Sequence, residues 1–448
     1  MKELFLTKNP NNELSLRILL FFFIIIFTFP RGIGFSVFGA VVDFVEILQL
    51  VIFLFILPKI TIENINEKIF LIGIFFFPLL SVIFLYESFP TTILRLIFYF
   101  IFVFSGFFVG KFLLNKIYAT KNFNFFFSII LIANSIGLLI ALINYNFEFF
   151  RLDDYRTYES GVLENLAFKQ RIITGFEGFT SFRGNHMAAN EFAIIQTLIF
   201  SFLLSYFFIF FKNFGSRLKM ILFISIFISF FSILLSQSRA CIVLSTFLLV
   251  IFSFLSIFNS KLKVSFFYNP LYVGVIFLAL IYLYTPDSIS FLITNVSTLV
   301  NYLGLEGLGG AIVNDFESSK RIQALNFIPE IFTSFPLNVL IGFGEGFWNY
   351  HKIEELTFFG DSGILITFFM EFGLVSWLIF VFYVINNIYT AINSPLKESN
   401  ILGIALMFGL AAALVTSFKT SYWYIFLFLG MIVQLNNNYE NRHNNNSI

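Results

Sequence analysis

The chain has 448 residues, 58% of them hydrophobic and only 12% charged, with 72 phenylalanines. A soluble fold of this length has no interior large enough for so much apolar side chain. The formal net charge of +1 supplies no field for a nucleic acid, so that class of partner is set aside.

Apolar runs of membrane-spanning length recur along the whole sequence, which predicts an all-α, polytopic integral membrane protein. A transmembrane barrel would instead show alternation over segments of about ten residues. The spans are expected at 15–29, 34–57, 68–86, 91–111, 123–145, 187–211, 219–237, 240–259, 264–284, 361–386, 399–418 and 421–436, about twelve in all. The first run follows Lys2, Lys8 and Arg17 as a signal peptide would, but Phe29-Pro30-Arg31 follows it in place of a small-residue cleavage site. It is read as an uncleaved span. Residues 1–448 are therefore taken as a single transmembrane domain.

The second expected span carries Asp43 and Glu46 about one turn apart, and Arg95 lies near the outer end of the fourth. Two readings stay open for these groups: a buried ion-pair cluster, or a path for a proton or ion. The single cysteine, Cys241, excludes an intrachain disulfide and a cysteine-built zinc site.

Charge then sets the orientation. Lys2, Lys8, Lys59, Lys68, Lys111, Lys116, Lys121, Lys212, Arg217, Lys219, Lys261, Lys263, Lys397 and Arg442 all fall at one set of span ends. By the positive-inside rule those ends are cytoplasmic, and both termini with them. A multi-pass membrane location is expected from these spans. The Asn-rich segment 437–448 is expected to be a disordered cytoplasmic tail.

Two long polar stretches, 146–185 and 285–360, fall on the opposite side as extracytoplasmic loops. The first holds five basic residues against six acidic ones, and the second three against eight. Within the second, Ser318 to Phe335 spaces Ile322, Leu325, Phe327, Ile328 and Phe332 as an amphipathic helix would.

Arginines stand out at this outer side. Arg239 lies in Ser236-Gln237-Ser238-Arg239, the tight connection between two outward-ending spans. A guanidinium there suits a pyrophosphate, because its planar fork donates two parallel hydrogen bonds and never deprotonates. A snorkelling arginine on lipid phosphate is the plainer alternative. Arg171 and Arg183 flank the end of the first loop, with Gly175, Gly178 and Gly184 allowing a ligand close to the backbone. The run continues through His186, Asn190 and Glu191, where His186 and Glu191 are read as structural. Arg321 sits on the expected loop helix, followed by Gly342-Phe343-Gly344-Glu345-Gly346, a turn that can face a sugar or a phosphate. Asp361, where the chain returns to the membrane, and His351 in the loop are candidate general bases. A cap or an ordinary loop residue remains open for each.

Several of these pieces, in this order, resemble the O-antigen polymerase and O-antigen ligase superfamily. They are Arg171-Ile172-Ile173-Thr174-Gly175 ahead of Asn190-Glu191-Phe192-Ala193, then Ser236-Gln237-Ser238-Arg239. Next come Ser318-Ser319-Lys320-Arg321 with Gly342-Phe343-Gly344, and last Asp361-Ser362-Gly363-Ile364 ahead of Glu371-Phe372-Gly373-Leu374. The resemblance covers about 170–380, while span count and loops agree over the whole length. It implies a GT-C-like fold and a glycosyltransferase that needs neither metal nor other cofactor. It alone implies that the membrane is the inner (plasma) membrane of a bacterium. It implies as partners undecaprenyl-pyrophosphate-linked glycans and membrane lipids, with room for a chain-length regulator protein. It also implies that Arg239 and Arg321, then Arg171 and Arg183, hold the pyrophosphate, where negative charge builds as the glycosidic bond breaks. The ligases carry a His-Asn or His-Ser pair where this chain has Asp361-Ser362, a departure that favours polymerase over ligase. It makes Asp361 the first choice of base and His351 the reserve. A lipid-linked oligosaccharide flippase, which is not an enzyme, is the competing class.

Overall fold

The computed structural model describes residues 21–22, 25–26, 34–37, 40–62, 64–81, 96–97, 99–120, 130–131, 133–139, 189–210, 214–236, 238–258, 330, 333–344, 364–415 and 419–445. The described chain is helical apart from one two-stranded hairpin. Four of its helices are long and apolar enough to cross a membrane. They are α4 (Ala189–Phe210), α5 (Ser216–Ser236), α8 (Ile364–Asn393) and α9 (Lys397–Val415), at the expected spans 187–211, 219–237, 361–386 and 399–418. Helix α6 (Arg239–Phe258), whose apolar stretch Ala240–Phe252 is shorter than those four, follows α5 in the chain.

The expected span 34–57 is corrected. Strands β1 (Gly34–Val37) and β2 (Ala40–Asp43) pair antiparallel, Val37 opposite Ala40, and only then does α1 (Phe44–Ile56) begin. Val37, Val41 and Val42 are β-branched, so the residue types suit paired strands. Average apolarity does not distinguish it from a helix.

Helix α2 (Ile65–Ser81) is followed by helical residues 96–97 and 99–100, a π-helical turn at Ile101–Ser105 and α3 (Gly106–Thr120). Helical residues 130–131 and 133–139, the short α7 (Pro336–Ile341) and the long α10 (Lys419–Asn445) complete the described set. The disordered tail expected from 437 is corrected too, because α10 runs on to Asn445. Asn437 is buried and its Oδ1 accepts a hydrogen bond from Asn64 Nδ2 at 3.1 Å, while Gln434 Nε2 donates to Asn438 Oδ1 one turn on.

Two helices form the centre. From Tyr422 to Val433, α10 is buried on every side, and so is α4 from Glu191 to Tyr206. A helix apolar all round belongs inside a bundle. The peripheral helices are one-sided. On α5, Leu222, Ser229 and Ile233 face inward while Phe223, Phe227 and Phe231 are exposed, as a lipid-facing surface requires.

Helix α10 lies against α3 at unusually close range. A Cβ added at Gly106 would meet the Trp423 carbonyl, one at Gly110 the Leu427 carbonyl, and one at Gly430 the Phe107 carbonyl. Small residues one turn apart on α3 thus let two backbones touch, the usual device where water cannot drive helices together. Trp423 Nε1–H donates to Ser105 Oγ at 2.7 Å beside this crossing.

Candidate functional site

The most unusual local geometry lies where the end of the second polar loop meets α8. Gly373 interrupts that helix with φ 79° and ψ 173°. Helical i→i−4 hydrogen bonds do not cross such a residue, so carbonyls just before it lose their partners. The loop supplies new ones. Phe343 N–H donates to Met370 O at 2.8 Å and Gly344 N–H to Glu371 O at 2.9 Å. Gly342 holds φ 91° and ψ 166°, and both glycines occupy a region essentially closed to residues with a side chain. A Cβ at Gly342 would strike the Glu371 carbonyl, and one at Gly373 the Leu340 carbonyl.

The sequence explains the approach. Pro336 opens α7 at a position where its missing N–H costs no hydrogen bond. Gly342 N–H closes the helix on Asn338 O at 2.7 Å. Val339 and Phe343 turn inward, with Phe343 edge-on to Phe335 at 5.7 Å, while Leu337 and Leu340 stay exposed. Gly342 and Gly344, read from sequence as part of a turn that can face a sugar or phosphate, use their backbone freedom in contact with α8, and Gly346 lies outside the described residues.

A fully buried carboxylate, Glu371, stands at the break. Thr367, one turn earlier, and Ser376, just beyond, are also buried, and neither hydroxyl has a hydrogen-bond partner among the described residues. Aromatic rings surround the group: Tyr99 is 4.5 Å from Phe372, and Phe368 stacks on Phe380 at 4.6 Å, across the break. An ionisable residue inside a membrane-length helix is costly and by default a functional candidate.

A second polar cluster joins three helices. Gln196 Nε2 on α4 donates to Asn134 Oδ1 at 2.8 Å, and Asn134 Nδ2 donates to Ser229 Oγ on α5 at 3.1 Å. Farther along α5, Ser236 Oγ accepts the Ser238 N–H at 3.3 Å, and Ser238 O accepts the Ile242 N–H at 2.9 Å. Ser238 is thereby the cap of α6, and Arg239 is that helix's first residue. A cation in the first turn opposes the helix dipole, so this position gives Arg239 no helix-stabilising role. Its side chain lies outside the described residues. Cys241 is buried beneath the turn against Ser238 and Thr197.

Arg171, Arg183, Arg321, His351 and Asp361 lie outside the described residues, so no distance among the six expected site residues is described. Glu191 is buried in the first turn of α4, where a carboxylate suits the dipole. Asp43 ends β2 opposite Gly34, and Glu46 is buried on α1. Gln49, one turn after Glu46 and not singled out from sequence, is fully buried, with neither amide atom bonded among the described residues. Gln49, Gln196, Asn134 and Glu371 share one signal: a strongly polar residue inside a largely apolar run.

No family model, no curated protein and no solved structure matches this chain.

Proposed function

We propose that this protein is a metal-independent glycosyltransferase that polymerises oligosaccharide repeat units at the outer face of a bacterial inner membrane. The donor is a glycan on undecaprenyl pyrophosphate, and the acceptor is a hydroxyl of the next lipid-linked unit. The acceptor oxygen attacks the anomeric carbon, the bond to pyrophosphate breaks, and the proton passes to Asp361, or to His351 in reserve. Arg239, Arg321, Arg171 and Arg183 hold the departing pyrophosphate, the group on which negative charge grows.

The observation that carries this reading is the meeting of two motif pieces. Gly342-Phe343-Gly344 and Glu371-Phe372-Gly373, distant in sequence, join through two backbone hydrogen bonds at Met370 and Glu371. The first piece follows Arg321 in the second polar stretch, and the second follows Asp361, so the junction joins two segments that are near both residues in sequence. Arg239 at the start of α6, with no helix-stabilising role there, supports the same reading.

The test is glycan chain length in cells carrying Arg239→Ala or Arg321→Ala. Long polymer should fall on the order of 10²–10³-fold while single repeats are still exported, the loss typical of removing one donor to a developing anion. Arg239→Lys should rescue poorly, because an ammonium lacks the bidentate fork. Reconstituted protein that moves lipid-linked repeats between leaflets and elongates none would replace the reading with a transporter. Long polymer accumulating on the lipid carrier in the variants would replace it with a ligase.

A further inference from the structure

Helix α7, at the end of the second polar stretch, is two-sided. It packs on α8 and also on α2. Val339 and the following Phe343 are buried, whereas Leu337 is 56% and Leu340 47% exposed. Asn338 is the only polar residue of α7, and its Nδ2 lies 3.5 Å from Gly342 O, turned onto its own helix end.

Two independent distances fix the depth of this segment in a bilayer. Phe343 N–H and Gly344 N–H are bonded to Met370 O and Glu371 O on α8. The apolar part of α8 begins at Ile364, directly after Asp361-Ser362-Gly363, and the rise from Ile364 to Met370 is roughly 9 Å. From the opposite side, Gly73 on α2 lies against Ile379 on α8, which sets these two helices in register. The rise from the exposed Lys68 to Gly73, continued from Ile379 back to Glu371, comes to roughly 20 Å. A hydrocarbon layer is about 30 Å thick, so one that starts at Lys68 has roughly 10 Å still to run beyond Glu371. The two distances agree: the junction lies well inside the layer, on the side of the α8 N-terminus.

At that depth backbone groups find no water, and irregular chain is tolerated only where protein covers it. The segment meets this condition. Gly342, Phe343 and Gly344 are all buried and held to α8, and the part that stays exposed is helical with leucines outward. The register through Gly73 puts Leu79 of α2 level with Gly373, and both Leu79 and Phe76 are exposed there as a lipid-facing surface is. Leu337 and Leu340 therefore adjoin a surface of the same kind at the same depth.

We propose that residues 335–344 are a re-entrant element that dips into the bilayer beside α8, with Leu337 and Leu340 against the acyl chains of the leaflet nearest the α8 N-terminus. The partner is lipid hydrocarbon, and the assignment does not rest on the glycosyltransferase reading.

Spin labels on the full chain in phosphatidylcholine bilayers test it. In a Cys241→Ala background, Leu337→Cys, Leu340→Cys, Leu79→Cys and Glu330→Cys each put one label at an exposed position. Labels at 337 and 340 should meet oxygen in preference to a water-soluble nickel chelate, and should read roughly 10 Å inside the hydrocarbon edge, as the label at 79 does. The preference should reverse at 330, because a charged residue belongs to the polar phase. On the unaltered chain, a phosphatidylcholine with a diazirine in its acyl chain should attach to 336–341 on illumination, as it does to α2. Nickel that reaches 337 and 340 as readily as 330 overturns the proposal, since α7 then lies in water. Labels closed to both probes overturn it too, because protein, such as a second copy of the chain, then covers this face. So does attachment of the photolabel to α2 with none on 336–341.

Discussion

Two places in this protein bring backbone against backbone, and both use glycine, for different reasons. Where α3 crosses α10, Gly106, Gly110 and Gly430 sit in regular helices and are needed only because a methyl group would strike a facing carbonyl. Where the 342–344 segment meets α8, Gly342 and Gly373 face the same steric limit and also hold torsions that other residues avoid. The first contact is a matter of space. The second is a matter of space and conformation together, in a helix that gives up its own hydrogen bonds to make it. A contact of the first kind holds a scaffold; one of the second kind fixes a particular backbone path.

Substitutions separate the two cases. Gly373→Ala should have the largest effect, a loss of about 4 kcal/mol, adding a torsional cost of roughly 1–3 kcal/mol to one of similar size for overpacking. Thermal unfolding in detergent reads it, and a loss no greater than that of Gly110→Ala would end the distinction. Lys111→Met comes next, at about 3 kcal/mol, because it leaves the Glu67 carboxylate buried without its cation. Lys111 adjoins Gly110, so this variant asks whether charge rather than close packing secures α3; adding Glu67→Gln should recover most of the loss. Gly110→Ala should cost about 2 kcal/mol through overpacking alone. The smallest effect belongs to Trp423→Phe, about 1 kcal/mol for the hydrogen bond to Ser105. If that variant instead matches Gly110→Ala, the crossing depends on the indole as much as on the glycines.

Much of the fold is legible in the sequence wherever apolar length alone decides. Helices α4, α5, α6, α8 and α9 begin and end within a few residues of the expected spans, apart from the far end of α8, which runs on to Asn393. Ser216, Arg239 and Lys397 mark starts that polar residues announce. The sequence misleads where two structures have equal apolarity, as in the hairpin before α1, or where a polar stretch is ordered by a distant partner, as Asn437 is by Asn64. The candidate site was legible as motifs and not as geometry. Glycine spacing at 342 and 344 announced an unusual turn, but its partner was invisible, because backbone hydrogen bonds to Met370 and Glu371 leave no mark on residue identity. Charge patterning directed attention to the outer arginines. Glu371 entered only as part of a motif and Gln49 not at all, although both are fully buried.

The two hydrogen bonds from Phe343 and Gly344 have a topological effect beyond their own strength. They close a ring in the chain. Residues 345–363 leave from one side of the junction and return, through the first turns of α8, to the other. His351 and Asp361 both belong to that ring. The entropy of drawing its ends together is met once, at folding, and grows only slowly with ring length. By that entropy alone, changing the number of residues between Gly344 and Ile364 shifts the cost of the junction little. The junction therefore sets where both ends of that segment are anchored, whatever its length.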